Sequence, residues 1–175
     1  MDLAKHCELC DNQKVNLKEG TTCGLDGRKP FFNKTCLKIE LNEKFERKLK
    51  EINIKYEKLR SEKAITYTYF VVFLIIGFLV ILAGFLLGKY ILENGVIATA
   101  PLIIMGVGLS PLGLAFGTLN NYRQELEIAT KKKNQIDHIL KLYRIDYKID
   151  IKFGEKYHGN QDVYVNLKVN KRSFN

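Results

Sequence analysis

Between Ala64 and Gly88, and again between Asn94 and Tyr122, the chain contains no Asp, Glu, Lys, Arg or His. These uncharged runs are 25 and 29 residues long. At about 1.5 Å per residue, an α-helix of either length crosses the roughly 30 Å hydrocarbon core of a bilayer. The absence excludes a function class as well, because ionisable groups inside a span mark proton relays and coupled transport. Missing too are a P-loop, a nucleophile elbow and a metalloprotease helix, and His138 and His158 stand apart from any Cys or Ser spacing that would suggest nucleophilic catalysis. Asp146 and Asp150 alternate with lysines, a pattern of cross-strand pairing and not of acid–base work. No enzyme is expected. The opening residues, Met-Asp-Leu-Ala-Lys-His-Cys, are hydrophilic, and the first apolar run starts roughly 60 residues later, so a cleaved secretory signal is not expected either.

What is present is a membrane hairpin with polar ends. The 46% hydrophobic content is concentrated in the middle of the 175 residues. The reading is a mainly α protein laid out as a four-cysteine module (1–41), an amphipathic helix (42–63) and a first span (64–90). A short turn (91–95), a second span (96–120), a second amphipathic helix (121–143) and a β-hairpin tail (144–175) follow. The net charge of +9 lies in the polar parts. Arg47, Lys48, Lys50, Lys55, Lys58, Arg60 and Lys63 precede the first span, and Arg123, Lys131, Lys132 and Lys133 follow the second, whereas the turn offers only Lys89 against Glu93. The positive-inside rule then puts both termini in the cytoplasm, at a bacterial inner membrane. The basic excess suits anionic lipid. Lys and Glu alternate too evenly for a nucleic-acid face.

Small residues recur inside the spans. Gly77, Gly84 and Gly88 form one stripe; Gly106, Ser110, Gly113 and Gly117 form another, and each contains a GxxxG. Such stripes let helix backbones approach closely. They predict either packing of the hairpin on itself or self-association between hairpins. Pro101 and Pro111 are expected to kink or unwind the second span locally. Tyr67, Tyr69 and Tyr90 fit interfacial anchor positions.

All four cysteines fall early: Cys7, Cys10, Cys23 and Cys36. Cys7-x2-Cys10 lets two thiolates meet one metal from a tight knuckle, and two later single cysteines complete a tetrahedron. A segment of this size with few large apolar groups needs a staple, and in a reducing cytoplasm Zn²⁺ serves better than disulfides. An iron–sulfur centre, free thiols, or disulfides under a reversed topology are the alternatives. With four cysteines closing the shell, His6 is expected to be solvated, and no coordination position is left for hydrolytic water. The pattern Cys7-x2-Cys10, Gly20-x2-Cys23-x-Leu25 and Lys29-Pro30-x-Phe32-x3-Cys36, followed by a charged helix and two spans, resembles small two-span membrane proteins of Bacteroidota with an N-terminal four-cysteine module. The resemblance implies the layout and a metal site, and no activity.

Phe45, Leu49, Ile52, Tyr56 and Leu59 are spaced 4-3-4-3, and Leu119, Tyr122, Leu126, Ala129, Lys133, Ile136, Leu140 and Tyr143 continue the alternation after the second span. Lys133 is the one break. Without proline or glycine at either junction, two helices of roughly 45 residues are expected, their polar ends pairing as an antiparallel stalk. In the tail, Ile145, Tyr147, Ile149, Ile151 and Phe153, then Val163, Val165, Leu167 and Val169, alternate with polar residues, a hairpin with one apolar face. Two strands alone are marginal in water, so that face must lie on something. The function expected is a membrane anchor, adaptor or sensor presenting a zinc-stapled body to a cytoplasmic protein partner. The competing expectation is an oligomeric pore or membrane-perturbing effector assembled through the glycine stripes.

Overall fold

The computed structural model describes residues 3–90, 99–157 and 160–171. The turn expected at 91–95 and His158 lie outside them. The chain is mostly helical, with two long apolar helices and a C-terminal β-hairpin. Its elements are α1 (Ala4–Cys7), β1 (Gln13–Asn16), β2 (Gly20–Cys23), α2 (Glu43–Ser61), α3 (Lys63–Tyr90), α4 (Thr99–Leu142), β3 (Ile145–Tyr157) and β4 (Asn160–Lys171). They fall into two compact units, Lys58–Ile128 and Met1–Glu57 with Ala129–Asn175.

In the unit Lys58–Ile128, α3 and α4 are both long and apolar enough to cross a membrane, by length and composition. Gly77, Gly84 and Gly88 are buried. A Cβ added at Gly77 would stand 2.6 Å from Leu112 Cδ2 and 3.0 Å from the backbone oxygen of Gly108, and one at Gly108 would stand 2.7 Å from Ile81 Cγ1. Glycine at both positions is what permits this approach. On α4 the packing face differs from the expected one. Gly106, Ser110, Gly113 and Gly117 are exposed, and a Cβ at any of the three glycines would meet nothing within 4 Å. The buried stripe is instead Pro101, Gly108, Ala115, Leu119 and Tyr122. Gly106 and Gly113 each precede a buried residue by two positions, about 200° of helix rotation, so they point to the far side.

One further expectation is narrowed here, since the prolines do not unwind the second span, and one changes. Pro101 is the third residue of α4, where a backbone N–H would have no intrahelical partner anyway, and the helix continues through Pro111. The first long helix is interrupted. Glu62 separates the 19 residues of α2 from the 28 of α3, although Glu62 N–H donates to the Lys58 carbonyl and Thr66 N–H to the Glu62 carbonyl across the gap. By contrast α4 is a single helix of 44 residues.

The second unit has one core. Leu9, Leu41, Phe45, Leu49, Ile136, Ile139, Leu140, Tyr143 and Ile145 are buried together, with Ile39, Ile52, Tyr147, Leu167 and Val169 packed against them. The cysteine segment, the seams of α2 and α4 and the tail hairpin therefore cover one another's apolar faces. In the hairpin Tyr147 pairs with Val169, Ile149 with Leu167, Ile151 with Val165 and Phe153 with Val163, which keeps the apolar residues on one face. Arg144, with φ of 54°, ends α4 and turns the chain into β3.

Lys133 now has a physical reason to interrupt the seam. Its Nζ donates to Asp137 Oδ2 at 2.9 Å and to Tyr147 Oη at 3.1 Å, while the Tyr147 hydroxyl donates to Asp137 Oδ1 at 2.5 Å. The ammonium also lies over the rings of Tyr56 and Tyr147. Beside it, Asn53 is 1% exposed and its Nδ2 donates to the Leu49 carbonyl. A polar cluster thus ties α2, α4 and β3 together inside an apolar seam.

Candidate metal centre

Four short pieces of backbone gather the cysteines. The single turn of α1 carries Cys7, and the Cys10 N–H donates to the Cys7 carbonyl at 3.0 Å, which folds the pair into a knuckle. The β1–β2 hairpin sets Cys23 opposite Gln13, whose N–H donates to the Cys10 carbonyl. After Cys23 the chain turns back at once: Cys23 N–H donates to the Arg28 carbonyl and Gly27 N–H to the Cys23 carbonyl, with Gly27 at φ 70°. Gly24 N–H donates to the Asn12 carbonyl at 2.6 Å, and a Cβ on Gly24 would stand 2.9 Å from that oxygen, so only glycine closes this contact.

Cys36 arrives from the segment before α2 and is held from a distance in sequence. Its N–H donates to Tyr143 Oη at 2.8 Å. The result is that Cys7, Cys10, Cys23 and Cys36 line one small cavity of about 20 Å³, together with His6, Asn12, Gln13, Lys38 and Ile39. That is room for one water-sized body. The cysteines are all free thiols. Among the described residues, no group of three or more His, Cys, Asp or Glu side chains is disposed so as to hold a metal ion. The thiols share a cavity without closing a shell.

The electrostatics of the cavity are visible at Cys7. Burial, followed by the neighbouring Cys10, Cys36 and Cys23, pushes the Cys7 thiol up to about 11. Four thiolates around one cavity repel each other, and only a cation there would reverse the balance. Two features already suit an anionic cluster. The Glu40 N–H donates to Cys10 Sγ at 3.4 Å, and Lys44 Nζ, which donates to the Cys10 carbonyl at 3.0 Å, opposes the rise at Cys7. Four cysteines around a cavity of this size are a donor set of the kind that a soft divalent ion takes.

His6 is not solvated as expected. It is 1% exposed, packed edge-on against Phe32 and Tyr143, and its Nδ1 lies 3.2 Å from Tyr143 Oη. Burial, then the neighbouring His138, lowers its pKa, which favours the neutral ring. The physical reason is the shared core: α1 lies against the end of α4 and has no free side at His6. Tyr143 was legible as a seam residue only. Its hydroxyl is a second hold on the cysteine segment, and burial pushes its pKa up to about 12. No family model, no curated protein and no solved structure matches this chain.

Proposed function

We propose that the chain is an integral membrane anchor, adaptor or sensor whose polar unit, stapled by structural Zn²⁺, is presented to a protein partner in the cytoplasm. The observation that carries the membrane part is the outer surface of α3. Val72, Ile75, Phe78, Leu79, Leu82 and Phe85 are exposed around a helix that buries only its glycine stripe. Apolar surface on every side of a helix calls for lipid, not water. The zinc part rests on four cysteines lining one cavity of ion size. Zinc there is structural and has no open coordination position. Protein purified in detergent should carry about one Zn²⁺ per chain, lost in Cys23→Ser. Folded protein without metal would sink the staple.

A second reading, self-association into an oligomeric pore or membrane-perturbing assembly, is favoured by one observation. Gly106, Ser110, Gly113 and Gly117 lie on a face of α4 that none of the described residues covers. On this reading Gly113→Leu shifts the purified species from oligomer to monomer and abolishes leakage from liposomes. A wild-type monomer that leaves liposomes intact excludes it.

A further inference from the structure

Two polar atoms among the described residues are buried without a hydrogen-bond partner: His6 Nε2 and Asn12 Nδ2. Both residues line the cavity of the four cysteines. A buried polar group left unpaired is costly, so two of them at one place ask for a common partner.

The Tyr143 hydroxyl oxygen accepts the Cys36 N–H at 2.8 Å and lies 3.2 Å from His6 Nδ1, a contact that either tautomer of His6 can make. In the tautomer whose Nδ1 accepts the Tyr143 proton, a neutral imidazole carries its own proton on Nε2, and the orphan is a donor like the Asn12 amide. Asn12 is held from both sides, two residues after Cys10 and with its carbonyl accepting the Gly24 N–H next to Cys23. Both orphans belong to residues lining a cavity whose other polar groups include four thiols, which are weak acceptors. Thiolates on a metal are strong ones.

We propose that His6 Nε2–H and the Asn12 amide are dedicated hydrogen-bond donors to the sulfurs of a metal-bound tetrathiolate, with Tyr143 holding the His6 ring in the donating tautomer. This rests on the zinc reading above and deepens it. The ligands are the four cysteines, and His6 is a positioning residue, not a fifth ligand. Each N–H drawn onto a sulfur withdraws charge from it, so the centre keeps its metal longer and its thiolates react more slowly with electrophiles.

The test uses the full-length chain in detergent, loaded with Zn²⁺ or Co²⁺. Metal transfer to a chelator and alkylation by iodoacetamide are timed for wild type, His6→Leu, Asn12→Leu and His6→Gln, whose amide nitrogen can occupy the Nε2 position. His6→Leu and Asn12→Leu should retain one metal per chain and a Co²⁺ spectrum of four sulfur ligands, while both rates rise roughly tenfold. His6→Gln should restore most of the wild-type slowness, a rescue that a loss of packing alone would not give. Unchanged rates in metal-loaded Leu variants overturn the proposal and leave the zinc centre standing. So does a wild-type Co²⁺ spectrum with a nitrogen ligand that His6→Leu removes. A wild-type chain that binds neither metal removes the zinc centre and this inference with it.

Discussion

At Gly77 a single methyl group decides how near α3 and α4 can come. The Cβ of any other residue would press on Leu112, which can turn aside, and on the Gly108 carbonyl, which cannot. Gly77→Leu should therefore cost about 1–3 kcal/mol in the stability of the apolar unit, read as a lower unfolding midpoint in detergent. Gly113→Leu, with open space around its Cβ, should leave that midpoint unchanged. Equal losses in the two variants would contradict the packing face described. Only half of this was readable from the residues. The stripe Gly77, Gly84 and Gly88 stands out by its spacing, but α4 has two stripes of small residues, and periodicity does not say which one faces inward. Gly108 was lost among larger neighbours because its stripe also contains Pro101, Ala115 and Leu119. His6 was hidden for a related reason: burial comes from Tyr143, and nothing local signals a neighbour 137 positions away.

Among the elements, the join of α2, α4 and β3 is where polar chemistry governs stability. Burial by itself would lower the Lys133 pKa, but hydrogen bonds to Asp137 and Tyr147 outweigh it and raise the value. Burial, then the bond to Asp137, raises the Tyr147 phenol. Both groups hold their protons more tightly in the folded chain than in the unfolded one. The stability they contribute is fully present below about pH 10 and is lost as pH rises through the folded values. Above about pH 10, wild type should lose denaturant resistance more steeply than the double variant Lys133→Met with Tyr147→Phe, as followed by circular dichroism. Parallel slopes would show that the cluster does not couple to folding. The seams and the tail hairpin were legible because periods of 3.5 and 2 are written into the residues themselves. The lysine was visible only as an irregularity. Its partners come from three elements, and Asn53 has no signal beyond sitting one position after Ile52 on the seam's edge.

For the molecule as a whole, the expected orientation rests on the basic residues that flank the two uncharged runs, and it can be tested directly. With a cysteine introduced by Asn94→Cys, a membrane-impermeant maleimide on intact cells should label that position and spare the four native cysteines. Labelling of the native cysteines instead would invert the orientation and weaken the case for zinc, since those thiols would then meet an oxidising compartment.

The hold of Tyr143 on the cysteine segment also sets a schedule. His6 and its phenol partner are separated by 137 positions, so a ribosome adding about 5–20 residues per second presents the first roughly 7–27 s before the second. During that interval the nascent N-terminus has its knuckle and its small hairpin but not the wall that α4 supplies. Both apolar helices must leave the exit tunnel in the meantime. An ion reaching the four cysteines in that interval would meet a half-built cup, which the chain's last third then closes.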